Sequence, residues 1–158
     1  MSSAEQYSAL GHPLRLRLLF ALGERPATIS QLAAALASRK GNIAHHIKVL
    51  REAGLVRPGH TRHVRGGTEQ YYVRSARKLH FVGAAAGAQT ALALRVVAEE
   101  IAHAAPDPYM VLRHVRLTRA QVEHLVATLT DLVDGIEEAA DSEPRFGLLL
   151  GLYQPSQS

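Results

Sequence analysis

The chain has 158 residues, room for one comfortable domain or a small domain with an extension, and 47% of them are hydrophobic. It contains no cysteine, which excludes disulfides, thiolate metal sites and thiol redox switches within it. The net charge of +4 is unevenly spread: residues 1–80 hold 13 Lys/Arg against 4 Asp/Glu, residues 81–158 hold 5 against 10, and only the first half suits a polyanion.

The opening MSSAEQYSAL has neither a basic leader nor an apolar signal region, so a cytoplasmic location is expected. The most apolar stretch, Phe81 to Leu94, is interrupted by Gln89 and Thr90 and then meets Arg95, so no membrane span is expected. A first helix is predicted from about Ala4 to Leu22, with a break or restart at Pro13. Leu10, Leu14, Leu18 and Leu22 form its core stripe, broadened by Leu19 and Ala21, and Gly23 with Pro26 ends it.

Thr28 opens a second helix as a capping box with Gln31, and Ile29, Leu32, Ala33 and Leu36 share one face. After the break ASRK, a basic helix of about 40–53 places Ile43, Ile47 and Leu50 on a buried stripe. Its other side carries Lys40, Asn42, Ala44, His45, Lys48 and Arg51. Asn and Lys near a helix N-terminus suit base edges, Lys48 and Arg51 suit phosphates, and small Gly41 and Ala44 permit close approach. Gly54 stops the helix, LVRPG begins a strand, and Gly66-Gly67 marks a hairpin with Arg62, His63 and Arg65 near its tip. Helix, turn, helix and hairpin in this order predict a winged helix-turn-helix, an architecture that places one helix in the major groove of DNA.

The segments LGHPLRLRLLFAL, QLAAALASRKGNIAHHIKVLREAGLV and RGGTEQYYV resemble bacterial winged-helix repressors of the ArsR type over about residues 7–78. The resemblance implies a homodimer whose recognition helices enter successive major grooves. It puts Arg39, Lys40, Asn42, Ala44 and His45 at DNA-reading positions and His46 at the helix base. The sequence departs from the family in two places. Arg39 stands where a serine cap is usual, leaving Ser38 as the alternative cap, and the cysteine metal motif is absent.

Beyond the wing, Gly83 and Gly87 precede a helix of about 88–104 with Leu92, Val96 and Ile101 on its apolar face, closed by Pro106 and Pro108. YMVLRHVRL reads as a strand, and FGLLLGLY as a final strand able to pair with it. Between them Thr118 and Gln121 repeat the capping box, and Val122, Leu125, Val126, Leu129, Leu132, Val133 and Ile136 make a stripe fit for a dimer seam or an internal face. The expected fold class is therefore mainly α (α+β): a winged helix-turn-helix at 5–78, then a helical region at 79–158 with two strand-like segments, serving dimerisation or an effector.

No catalytic motif is present: there is no Gly-rich phosphate loop, nucleophile elbow or His-Glu-x-x-His, so no enzyme is expected. His60-x-x-His63, and His124 with Asp131 or Asp134, are the residues on which a metal-sensing repressor would have to rest. The first pair has ligand-like spacing but lies in the wing, where exposed histidines near phosphates are unremarkable; the second set lacks the spacing of a compact pair on one helix, and neither a metal nor a cofactor is expected. Phe81, Tyr109, Phe146 and Tyr153 with Arg95, Arg113 and Arg116 would suit a small-molecule anion effector, against the commoner role of such residues as core.

The functional expectation is a DNA-binding transcriptional regulator, more readily a repressor, working as a homodimer on a double-stranded operator. Lys40, Asn42 and His45 are assigned to base edges, and Arg39, Lys48, Arg62 and Arg65 to phosphates or the minor groove. The alternative is a winged-helix protein-interaction module, in which Lys40, Lys48 and Arg65 would be paired or buried.

Overall fold

A computed structural model of the chain describes residues 4–81, 86–104 and 108–155. It divides into two compact units, Met1–Pro108 and Tyr109–Ser158.

In the first unit the opening helical stretch is split at the expected place, into α1 (Ala4–Ala9) and α2 (Pro13–Glu24). Pro13 takes the first helical position, where its missing N–H has no bond to make. The preceding His12 is the N-cap, its Nδ1 accepting from the Leu14 N–H at 3.1 Å. Gly23 does not end α2 but lies in its last turn, and Pro26 follows the cap residue Arg25. The buried set is Leu16, Leu18, Leu19 and Leu22 rather than a single stripe through Leu14, because α2 packs on α4, α5 and β3 together.

A two-residue strand that the sequence did not announce, β1 (Ala27–Thr28), leads into α3 (Ile29–Ala35). The capping box is present in full. Thr28 Oγ1 accepts from the Gln31 N–H at 3.1 Å, and the Thr28 N–H donates to Gln31 Oε1 at 2.9 Å. The turn after α3 closes with Ser38 N–H on the Ala33 carbonyl and Ala37 N–H on the Ala34 carbonyl, which drives Ala37 to φ 48°. α4 (Lys40–Glu52) follows, burying Ile43, His46, Ile47 and Leu50, and it closes in the same manner on Gly54 at φ 70°.

The wing is an antiparallel pair, β2 (Val56–Val64) and β3 (Gly67–Arg74), with Arg65-Gly66 as the connecting loop. The sheet order is β1-β3-β2, so Ala27 lies opposite Tyr72 and Thr28 opposite Tyr71. Between Pro58↔Tyr72 and Thr61↔Gln70 the register shifts, leaving Gly59 and His60 against Tyr71 alone: a bulge. Gln70 Nε2 pins it, donating to the Gly59, His60 and Tyr71 carbonyls at 3.2, 3.3 and 2.6 Å.

One core lies beneath α4. Leu10, Leu16, Leu18, Leu19, Leu32, Ile43, Ile47 and Leu50 are fully buried, each stabilising the unit by about 1.5–3 kcal/mol relative to exposure. α5 (Ala86–Ala102) adds Ala93 and Val96 to that core, and Glu99 Oε2 meets Arg17 Nη2 of α2 at 2.5 Å. α5 thus belongs to the first compact unit. The helix breaks expected at Gly83 and Pro106 lie outside the described residues.

In the second unit α6 (Arg119–Asp134) begins at the expected Thr118–Gln121 capping box. Val122, Leu125, Leu129 and Val133 are half-buried and no residue of α6 is buried. The two expected strands do not form: 109–117 and 146–153 carry no ladder among the described residues. They approach each other where Tyr153 Oη lies 3.4 Å from His114 Nε2. A ladder needs a covered face to hold its register, and Val111, Leu112 and Leu148 are 72%, 76% and 61% exposed. The fold is mainly α with one small antiparallel sheet, as the sequence implied.

Candidate nucleic-acid interface

The outer face of α4 is built by the same periodicity that fills the core. With Ile43, His46, Ile47 and Leu50 inward, Lys40, Gly41, Asn42, His45, Lys48, Arg51 and Glu52 are left exposed and Ala44 half-buried. Helix and wing are fixed to one another through the β1-β3-β2 sheet and the core below, so these side chains stand on rigid elements.

Arg39 is the N-cap residue of α4 and its side chain makes no capping bond. Ser38 does not substitute. Its Oγ accepts from Asn42 Nδ2 at 3.0 Å, which orients the exposed Asn42 amide. The first-turn N–H groups of α4 therefore remain free of side-chain acceptors, beside the cationic Arg39 and Lys40. Helix dipole and side-chain charge add there, favouring an anion.

Among the described residues Lys40, Arg39 and Arg65 carry no ion pair, whereas Lys48 Nζ lies 3.9 Å from Glu52 Oε1 one turn away. Both partners of that pair are about two-thirds exposed or more, so water screens it. On the wing, Arg62 and Arg65 are exposed, and Arg62 stands in register opposite Glu69. Where α4 meets the base of the wing, a shallow recess of about 580 Å³ is lined by Lys48, Arg51, Glu52, Arg57, Pro58 and Ser75. Three cations against one carboxylate suit it to a phosphate.

Beneath α4 lies a cluster absent from the sequence reading. The His46 ring is buried 4.4 Å from the His12 ring and 5.3 Å from that of His45, centroid to centroid. Burial, then the positive charge of His12, Arg15 and His45, holds the His46 imidazole below its ordinary value. His12 is lowered too, by burial and then by Arg15. His46 Nδ1 has no hydrogen-bond partner among the described residues. The pair His12-Pro13 carried a signal, a side-chain cap before a first-turn proline, but His is outside the usual set of capping residues.

The other histidines do not converge. His60 stacks on Tyr71 at 4.2 Å, and His63 Nδ1 is 3.5 Å from Thr68 Oγ1. Among the described residues no three His, Asp or Glu side chains gather into a metal-binding group, and no helix is long and apolar enough to cross a membrane.

Residues 10–58 match the protein family described as "Helix-turn-helix domain". Over 54 residues the chain is 39% identical to a protein of Synechocystis sp. named "Transcriptional repressor SmtB homolog". That match covers 34% of this chain and 41% of the relative, so the chain spans less than half the length of the curated relative it matches.

Proposed function

On the premise that residues 10–58 form a helix-turn-helix domain of the ArsR type, we propose that the chain is a sequence-specific DNA-binding transcriptional regulator acting as a homodimer on a double-stranded operator. The observation that carries this reading is the exposed face of α4, cationic, uncapped at its N-terminus and rigidly joined to a basic wing. Lys40, Asn42 and His45 read base edges, Ala44 allows close approach, and Arg39, Lys48, Arg62 and Arg65 hold phosphates or the minor groove. Residues 5–78 bind DNA, and 79–158 serve dimerisation. Repression is the favoured sense, since the Synechocystis relative is named a repressor, and action on chromosomal DNA puts the protein in the cytoplasm.

The interaction-module alternative would pair or bury the helix cations. Of the three cations that separate the readings, Lys40 and Arg65 are exposed and without ion pairs among the described residues, which favours DNA, whereas Lys48 forms a solvent-screened pair with Glu52, which does not. The test is binding to promoter DNA of its own and neighbouring genes as a function of salt. A saturable two-fold site with half-site centres about 34 Å apart supports the regulator. Equal, weak binding to all DNA that vanishes in moderate salt would leave only a basic surface, and the interaction module would replace it.

A further inference from the structure

Asn42, in the first turn of α4, is exposed, and its amide makes one hydrogen bond among the described residues: Nδ2 donates to Ser38 Oγ at 3.0 Å. Ser38 is a firm anchor for it. The serine is half-buried in the turn between α3 and α4, where its own N–H donates to the Ala33 carbonyl at 3.0 Å. An amide is otherwise loosely held, because the torsion that turns its plane has a broad minimum. A carboxamide carries two N–H donors and one oxygen. With one N–H given to Ser38, a single donor and the oxygen acceptor of the same planar group remain for a partner.

Of the four bases, adenine alone shows both complements in the major groove, an acceptor at N7 beside the donor N6–H. Guanine shows two acceptors, and its O6 would face the amide oxygen. Cytosine shows only a donor, and thymine only an acceptor with its methyl group. We infer that Asn42 reads an adenine, and that Ser38 is the positioning residue that holds the Asn42 amide in the attitude this base requires. The inference deepens the DNA reading proposed above by naming the base, and it rests on that reading. Ser38 touches no base in this account. It acts only through Asn42, so its contribution to affinity should disappear when the amide is removed.

The experiment measures the affinity of the full chain for its operator, selected from randomised duplexes, with every base pair then replaced in turn. The pair at which Asn42→Ala loses discrimination is the one Asn42 reads, and it should be A·T. At that pair 7-deazaadenine, which lacks the N7 acceptor, and purine, which lacks the N6 amino group, should each weaken the parent chain about 10-fold while leaving Asn42→Ala unchanged. Ser38→Ala should lower the preference for adenine there by about 2–10-fold, with the salt dependence unchanged. Ser38→Thr, which keeps the hydroxyl, should restore it. In an Asn42→Ala background Ser38→Ala should change nothing. Urea midpoints report whether each variant keeps its fold. A guanine at the pair overturns the inference, since it calls for two donors and the amide turned over. So does a Ser38→Ala variant that weakens all sequences alike, or whose effect survives in the Asn42→Ala background. A chain that selects no operator removes the proposed function and this inference with it, whereas a specific operator without adenine at that pair removes the inference alone.

Discussion

The imidazole rings of His12 and His46 lie 4.4 Å apart, one capping α2 and the other buried under α4. Both are held below the ordinary imidazole value near 6.5. In the window between the lowered values and that one, the unfolded chain binds more protons than the folded one. Stability is therefore full above about pH 6.5–7 and falls as the solution is acidified through the window. Protonation also removes the Nδ1 lone pair with which His12 accepts the Leu14 N–H. The expected slope is at most about 1.4 kcal/mol per pH unit for each group. Urea unfolding from pH 8 to pH 5 measures it, and His46→Phe should be flatter over that range. An equal slope in the variant would remove His46 from this account.

Ala37 adopts φ 48° in the turn between α3 and α4, a conformation that costs a side chain bearing Cβ about 1–2 kcal/mol. Glycine avoids that cost but gives back part of the gain through its freer unfolded chain. Ala37→Gly should raise stability by about 0.5–1 kcal/mol, read from the urea midpoint at constant slope. A lowered midpoint would mean that the turn is not strained.

The wing bulge hangs on one amide. Gln70→Ala removes the donor shared by three carbonyls, with an expected loss of about 1–2 kcal/mol. Faster hydrogen exchange should be confined to β2 and β3 around 58–72, with α3 and α4 unchanged. Uniform acceleration across the first unit would show that the bulge supports the core rather than the wing.

If α4 reads DNA as proposed, its face should separate into two kinds of contact. Asn42→Ala should cost about 1–3 kcal/mol on the correct operator and relax discrimination at one base pair. Lys48→Ala should weaken all sequences alike and flatten the salt dependence by about one unit. Glu52→Gln, which frees Lys48 and removes a negative charge from the same face, should strengthen binding to any DNA. Titrations at several salt concentrations decide among these, and a Glu52→Gln variant that binds more weakly would give that carboxylate a positive role in recognition.

Where one side of an element is covered, the sequence was readable. α4 shows this best: Ile43, Ile47 and Leu50 repeat at helical spacing because one side faces the core, and the remaining positions became the candidate face by subtraction. Both capping boxes were legible because they are local, closing within four residues. β1 was not, since two residues carry no period, and neither was the ring pair of His12 and His46, which α2 and α4 assemble from 34 positions apart. The segments 109–117 and 146–153 misled for a different reason. Apolar, strand-like composition does not record what, if anything, covers a segment, and no ladder forms in these two among the described residues.

The two-residue strand β1 makes Thr28 a shared joint: its backbone is in register with Tyr71 of the wing while its hydroxyl starts α3. Hinge motion between the helix pair and the hairpin would have to disturb the β1–β3 pairing or the α3 cap. If the proposed DNA reading holds, groove and backbone contacts would be held as a stencil of fixed spacing before any DNA arrives. A duplex whose groove width departs from that spacing must bend to fit, so discrimination can reach base pairs that no side chain touches.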